Sequence, residues 1–576
     1  MKKLFLCLFV YLLLKGGKLY MKKLILFLCL FVYLFSTYSV DKDARGKFYY
    51  FVLIDRWENG DTGNDYTSRD DHYLAGDGLP QSLGYWGGDI KGLLDSMTYF
   101  NNFGVDGLYI TSPFDQPDQK FIYEVDYQSS NYHGYHNKDY KKLEEHYIGT
   151  GAQLSDLITA LHNNNMQLII DAVPNHGSHV TKLNMTQFIG LDSGSLYNNG
   201  ADIVLNPEKY TGYNDFDVRR DKQQYGFTNS LQYGGNIAYG TYGTYRQVTP
   251  ADSFFTQTIT HNYSVKVSDW DGIDGLYGNI FDLVDWNQEN PLVRQYIIDS
   301  YVYWLNQGVD GYRFDAIKHW VGTWGDLGNP SATWNHAKAY CDAMIAATGE
   351  PNMYLNGEWF GGDIGVQQQL DKGNTGMTCF LWSSQGAFSN AANGTMSNVL
   401  SYVNNVVTSL PNSYNRVNHF ADNHDMARCS YTLDQWRRGG MTMALIPGNL
   451  VWFYGSEIRW QPGQGEPGNR AYVGLSTITS SANGNIPAKF SAIKTAKDVY
   501  PAARKGNFLN GSASGTGLSF TRNFENNYII VGLNSGSSPV TFTNKAVSVP
   551  DGTYINAVNP NDSAYIPHER KMVFRN

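Results

Sequence analysis

Short apolar runs alternate with helical stretches along most of this chain, and that rhythm restricts the fold more than any other feature. The runs cover residues 48–54, 105–111, 167–173, 311–315, 354–359, 380–382, 416–421 and 450–455. Stretches with helical periodicity stand between them, at 90–103, 153–163, 291–306 and 332–347. Short strands separated by helices favour a parallel sheet, and this many repeats favour a closed α/β (β/α)8 TIM barrel over a doubly wound sheet.

Two regions break the rhythm. Residues 177–290, rich in Gly, Tyr, Asn and Thr, are too long for a loop and read as a subdomain inserted after the third strand. From 500 the helical pattern stops. Strand-like alternation at 518–521, 528–533, 540–543 and 572–574, with the turn Asn534-Ser535-Gly536, predicts a C-terminal β-sandwich over 500–576. The barrel is then expected over 40–176 and 291–499.

The start of the chain reads as a targeting segment. The letters FLCLFVYL occur at 5–12 and again at 27–34, each time after Met-Lys-Lys. A signal peptide over 1–39 is expected, either duplicated or with the true start at Met21. Cys7 and Cys29 belong to it. Cys341, Cys379 and Cys429 remain, so at most one disulfide is expected, and no Cys/His spacing suggests zinc. Net charge is −9 with no basic block, which excludes nucleic acid or an anionic membrane as the main partner.

Polar residues collect where the apolar runs end. The clusters are Asp171 with Asn175 and His176, Arg313 with Asp315, Glu358, Asn423 with His424 and Asp425, and Glu457. Barrel enzymes assemble their sites at the C-terminal ends of the strands. The segment Gly311-Tyr312-Arg313-Phe314-Asp315-Ala316-Ile317-Lys318-His319 is the densest. Burying Arg313 and Asp315 two residues apart is costly unless each finds a partner.

Four motifs in this order resemble the α-amylase family of retaining glycoside hydrolases and transglycosidases. They are Asp171-Ala172-Val173-Pro174-Asn175-His176, the segment Gly311 to His319, Gly357-Glu358-Trp359-Phe360, and Phe420-Ala421-Asp422-Asn423-His424-Asp425. Tyr132-His133-Gly134-Tyr135 supports them, although His136 stands where the family has Trp. The resemblance runs from about Lys47 to the end and is nearest to the cyclodextrin glucanotransferase-like members. It implies Asp315 as nucleophile, Glu358 as general acid and base, and Asp425 as a third carboxylate. Retention needs two carboxyls about 5 Å apart across the bond. Arg313 would hold Asp315 ionised, and His176 and His424 would bond sugar hydroxyls while Tyr135 stacks on the ring. Lys318 and His319 would meet the acceptor sugar, Glu466 and Arg470 the donor side, and Phe281 the curl of the glucan.

The resemblance also implies calcium. The His319 carbonyl, Asn175 and Asp285 would form part of one site, and a loop of Asn59, Asp61, Asn64 and Asp65 with Gly87 and Asp89 a second. Two plainer readings stay open: Asp285 capping the helix that starts at Pro291, and an ordinary Asx-rich turn at 59–65. The expectation is a secreted, monomeric α-amylase that hydrolyses internal α-1,4 bonds of starch, glycogen and maltooligosaccharides, outside the cell or in a digestive lumen. Transglycosylation is the alternative, with a non-catalytic family member third. The single β-domain at the C-terminus argues against transfer, because cyclodextrin-forming members carry more.

Overall fold

The computed structural model describes residues 40–65, 83–116, 121–123, 127–137, 139–179, 270, 274–277, 280–286, 288, 291–320, 335–461, 463, 467–542, 552–555, 563–566 and 572–574. The expected signal segment, most of the expected insert and Glu466 lie outside these residues.

Eight strands form one parallel sheet: β1 (Phe48–Val52), β2 (Gly107–Ile110), β3 (Gln167–Ala172), β4 (Gly311–Phe314), β5 (Tyr354–Gly357), β6 (Thr378–Cys379), β7 (Asn418–His419) and β8 (Asn449–Phe453). They bond in the order β6-β5-β4-β3-β2-β1-β8-β7, and a parallel bridge from Phe380 to Asn418 joins the two ends into a barrel. Both faces of each strand are covered, which is why the strands read as continuous apolar runs. Alternation still sorts their side chains. On β1, Tyr49 meets Tyr354 across the barrel interior at 4.7 Å and Phe51 stacks on Tyr109 at 4.1 Å. Phe48 and Tyr50 point outward, to Phe490 at 4.4 Å and Phe103 at 5.5 Å on the surrounding helices.

Those helices are α1 (Met97–Phe103), α2 (Leu154–Asn163), α3 (Pro291–Asn306), α4 (Asn335–Thr348), α5 (Ile364–Lys372), α6 (Met396–Ser409), α7 (Leu433–Leu445) and α8 (Ile486–Val499). The single helix expected over 90–103 is broken at Ser96, leaving a short helix Ile90–Asp95 before α1. The Ser96 hydroxyl donates to the Gly92 carbonyl at 2.7 Å and accepts from Trp57 Nε1 at 2.8 Å. A serine bonding its own preceding turn competes with the helix ladder. The sixth strand also differs from expectation. The apolar run 380–382 contributes only the Phe380 bridge, and the paired residues are Thr378 and Cys379.

At the N-terminal ends of the strands Asp106 is buried. It accepts from Phe48 N at 2.9 Å, pairs with Arg504 at 2.7 Å and with Lys494 at 3.3 Å. Arg504 belongs to a short helix, Ala502–Lys505, that leads into an antiparallel sheet of β9 (Asn507–Ser514), β10 (Gly517–Phe524) and β11 (Asn527–Asn534). Arg522 of β10 donates back to the Ala503 carbonyl at 2.6 Å and to Asn415 Oδ1 at 2.7 Å, fastening this sheet to the barrel. Strands Val540–Phe542 and Met572–Phe574 pair beyond it. The edge strand β9 has no clean alternation to read, because its register shifts between Leu509 and Ser512 where Asn510 takes a φ of 54°.

Candidate active site

Asp171 on β3 and Arg313 on β4 are register partners, so their side chains leave the barrel wall side by side. Arg313 is 2% exposed. Its Nη1 donates to Asp171 Oδ1 and to Asp315 Oδ1, each at 2.7 Å, and its Nη2 lies 4.0 Å from Glu358 Oε2. Two-residue spacing along β4 puts Arg313 and Asp315 on one face, as the sequence predicts. Beyond Asp315 the chain turns through Ala316, whose φ of 55° and ψ of 36° lie in the left-handed region. That turn aims the Ala316 N–H at Glu358 Oε2, 3.1 Å away. Ile317 N donates to the Glu358 carbonyl at 3.0 Å and Glu358 N to the Phe314 carbonyl at 2.7 Å. The loops that carry the two carboxyls are therefore bonded to each other. The αL cost of order 1 kcal/mol at Ala316 is part of holding them there.

Asp425 closes the third side. Its Oδ1 accepts from Arg470 Nη2 at 2.8 Å, and His424 Nε2 lies 3.3 Å from Oδ2. The Tyr135 hydroxyl bridges Asp171 Oδ2 at 2.6 Å and His424 Nε2 at 2.7 Å, with its ring stacked on the imidazole at 5.3 Å. His176 Nε2 stands 3.9 Å from Asp315 Oδ2. Asp171 thus joins Arg313, Tyr135 and Tyr109 in one buried network. The motif at 171–176 alone gives Asp171 no role. Its β3 position beside the predicted β4 arginine was the available signal.

Burial pushes Glu358 up to about 8, with Asp315 and Asp425 adding to the effect and Arg313 opposing it. Burial also pushes Asp171 up to about 6 against the pull of Arg313. For Asp425, burial acts upward, but His424, Arg470 and Arg313 outweigh it and hold the carboxyl below its ordinary range. Burial lowers His176, and it lowers His424 to about 3. The centre therefore combines a carboxyl that keeps its proton near neutral pH, a carboxylate that does not, and neutral imidazoles. That set can protonate a leaving group on one side while a carboxylate attacks on the other.

These groups open into a cleft of about 750 Å³ lined by Tyr135, His176, Phe281, Lys318, His319 and Arg470 among others. On its rim Phe281 and Phe360 are 47% and 57% exposed, and Trp270 packs on Phe281 at 5.4 Å and on His319 at 5.5 Å. The His319 ring is bonded to the Gly275 carbonyl at 2.8 Å. The cleft also holds His133 of the Tyr132-His133-Gly134-Tyr135 motif, edge-on to His136 at 4.4 Å. Glu457 is a correction. It does not reach the cleft. Its carboxylate turns outward from β8 and accepts from the hydroxyls of Tyr50 at 2.7 Å and Tyr99 at 2.6 Å and from Trp452 Nε1 at 3.0 Å.

The loop after β1 gathers its predicted residues. Asp89 accepts from Gly60 N at 3.1 Å, Asp61 N at 2.8 Å and Asn64 Nδ2 at 3.3 Å, and the Asp65 carboxylate accepts from Asn59 Nδ2 at 3.0 Å. Asn59 Oδ1 and Asn64 Oδ1 are buried without a hydrogen-bond partner among the described residues. Gly87 takes a φ of 81°, which disfavours any other residue, and a Cβ there would push on the Asn59 and Asp65 side-chain ends at 2.3 and 2.4 Å. Orphaned amide oxygens among carboxylates are the donor set a hard cation selects. At the other expected place, Asn175 and Asp285 meet at 3.5 Å where strand His176–His179 pairs with Leu283–Asp285.

The α-amylase catalytic-domain model matches residues 51–482. Cyclomaltodextrin glucanotransferases of Bacillus sp. (strain 1-1) and of Bacillus licheniformis are 25% and 27% identical over 88% of this chain, which spans 62% and 61% of their lengths. Among solved structures, a cyclomaltodextrin glucanotransferase with a three-domain ABC distribution overlays with a TM-score of 0.64 at 21% identity, covering 89% of this chain and 92% of that one. The α-amylase of Geobacillus thermoleovorans, complexed with acarbose, gives 0.61 at 19% identity over 93% and 97% of the two chains. With its barrel, its carboxylate cluster and the match along 51–482, this chain belongs to the α-amylase catalytic-domain family of glycoside hydrolases and transglycosidases.

Proposed function

We propose that the protein hydrolyses internal α-1,4-glucosidic bonds of starch, glycogen and maltooligosaccharides with retention of anomeric configuration. The observation that carries this reading is one guanidinium, Arg313, held against both Asp315 and Glu358 while burial keeps Glu358 protonated. Asp315 attacks the anomeric carbon as the leaving oxygen takes the Glu358 proton. Because Glu358 Oε2 already accepts from Ala316 N, that proton is carried on Oε1. A glycosyl ester on Asp315 results. Glu358 then removes a proton from water, the water attacks the same carbon, and Asp315 leaves as carboxylate. Asp425, His176 and His424 grip sugar hydroxyls, and Asp171 holds Arg313 and Tyr135 in place. Incubation with soluble starch tests this: linear maltooligosaccharides released first as α-anomers support it, and dominant cyclic or lengthened glucans overturn hydrolysis.

Transglycosylation is favoured by one feature, the apolar rim of Trp270, Phe281 and Phe360, taken as the acceptor side beside Lys318 and His319. Aromatic faces there prefer a sugar over water.

Calcium is the ion proposed for the loop after β1, held by Asn59, Asp61, Asn64, Asp65 and Asp89 where Gly87 leaves room. A second ion would use Asn175, Asp285 and the His319 carbonyl. A bound ion supplies positive charge that neutralises these carboxylates and fixes their loops. The start of the sequence supports export, and an extracellular or lumenal monomer is the working proposal.

A further inference from the structure

We propose that Asn469 and Arg470 act as a two-residue clamp that sets the position of Asp425. Both sit in the short turn Gly468–Arg470 that follows β8. The Asn469 side chain is fully buried, and its Nδ2 donates to the carbonyls of His424 and Met426, 2.7 Å from each. These carbonyls belong to the two residues that flank Asp425. Arg470 Nε donates to the same His424 carbonyl at 2.9 Å, and Nη2 to Asp425 Oδ1 at 2.8 Å. Four bonds from two adjacent residues thus fix the backbone on both sides of Asp425 and one of its oxygens.

The amide orientation at Asn469 has a cost that points to its role. With both donor bonds directed at the Asp425 loop, Oδ1 is left buried without a hydrogen-bond partner among the described residues. Such a group is destabilising and calls for an explanation. The turn itself is anchored from behind, because Arg428 Nε donates to the Asn469 carbonyl at 3.0 Å and stacks on Phe453 of β8 at 3.9 Å. Rigid support of this kind, rather than sugar contact alone, explains why Arg470 is turned onto Asp425. The clamp is a positioning device and rests on the reading of Asp425 as the third carboxylate.

The charged and titratable groups facing Asp425 are His424 on its own loop, Tyr135 after β2, Arg313 on β4, Glu358 after β5 and Arg470 after β8. Removing Arg470 withdraws one cation and leaves Arg313.

The test is steady-state kinetics on a chromogenic maltooligosaccharide, with active sites counted by covalent trapping so that misfolded protein does not enter kcat. Asn469→Leu is expected to lower kcat about 10- to 100-fold with little change in KM, as a catalytic group displaced by a fraction of an ångström does. Arg470→Ala is expected to lower kcat similarly and to move the acid limb of the pH profile upward, with part of the rate restored by added guanidinium ion. Arg470→Lys keeps the charge, so its acid limb stays near that of the parent while kcat falls. Wild-type kcat per trapped site in both Asn469→Leu and Arg470→Ala, with an unmoved acid limb, overturns the clamp. Asp425→Asn runs alongside. If it keeps full activity, the reading of Asp425 fails, whereas a large loss there with silent clamp variants removes the clamp alone.

Discussion

The two ends of the barrel carry opposite charge imbalances. At the N-terminal end the buried carboxylate Asp106 faces Arg504, Lys494 and Lys47, and the buried Asp310 pairs with Lys42 at 3.0 Å. Burial acts to raise Asp106, but Arg504, Lys494 and Lys47 outweigh burial and hold it well below the carboxylate range. At the C-terminal end Asp171, Asp315, Glu358 and Asp425 crowd around Arg313 and Arg470. Burial, helped by the neighbouring Asp315 and Asp425 and opposed by Arg313, drives Glu358 to keep its proton. The first arrangement fastens the C-terminal sheet to the barrel. The second buries Glu358 among like charges, which suits it to be the acid of the proposed mechanism.

Substituting the proposed nucleophile separates the two ends most sharply. Asp315→Asn should lower kcat by at least about 10⁴-fold while leaving the thermal midpoint unchanged or higher, as one of the crowded carboxylates is gone. Loss of activity accompanied by a large fall in stability would mean that this end is structural as well.

Asp106→Asn should do the reverse. It leaves Arg504 and Lys494 with Asp498 as their remaining carboxylate, and breaking a buried pair costs up to about 3–5 kcal/mol. Denaturant unfolding should show that loss, with kcat per folded molecule nearly unchanged.

The pH dependence of stability should also divide by end. Asp106 has a depressed value in the fold, so its contribution is present above the unfolded aspartate range, near about 4, and is lost as pH falls. Glu358 has a raised value, so its contribution is full below the unfolded glutamate range and is lost as pH rises through about 8. Glu358→Gln should therefore be more stable than the parent at pH 8 by about 1 kcal/mol or less, about one degree in melting temperature for a chain of this length, with the difference vanishing below about pH 5. Equal melting curves at every pH would contradict a protonated, buried Glu358.

The smallest effect belongs to the loop after β1. Chelation should lower the melting temperature and release bound calcium measurable by titration calorimetry, and Asn64→Leu should weaken that binding. A chain that binds no calcium and melts identically in chelator would leave 59–65 as an Asx-rich turn.

Much of this was legible in the residues. Arg313 and Asp315 were recognisable because two charges on one face of an apolar strand need partners. The order of the carboxylate motifs fixed which strand ends face one cleft. Asn59 to Asp65 were readable because their spacing is local. Glu457 misled, since a strand end does not tell on which side of the barrel wall a side chain emerges. Asp171 lacked a role until its register with Arg313 was seen. Arg470 was expected on a sugar, and its bond to Asp425 depends on a long-range approach of two loops that no local pattern encodes. The strand β9 escaped because its edge position and bulge erase alternation.

The central claim is that Asp315 attacks the anomeric carbon while Glu358 holds the proton. A fluorinated maltosyl fluoride that forms a slowly hydrolysed glycosyl ester, followed by peptide mass spectrometry, tests it most directly. The account predicts a single label on the peptide containing Asp315, at one per molecule, and none in Asp315→Asn. A label on another carboxylate, or turnover of the reagent with inversion and no label, would contradict it.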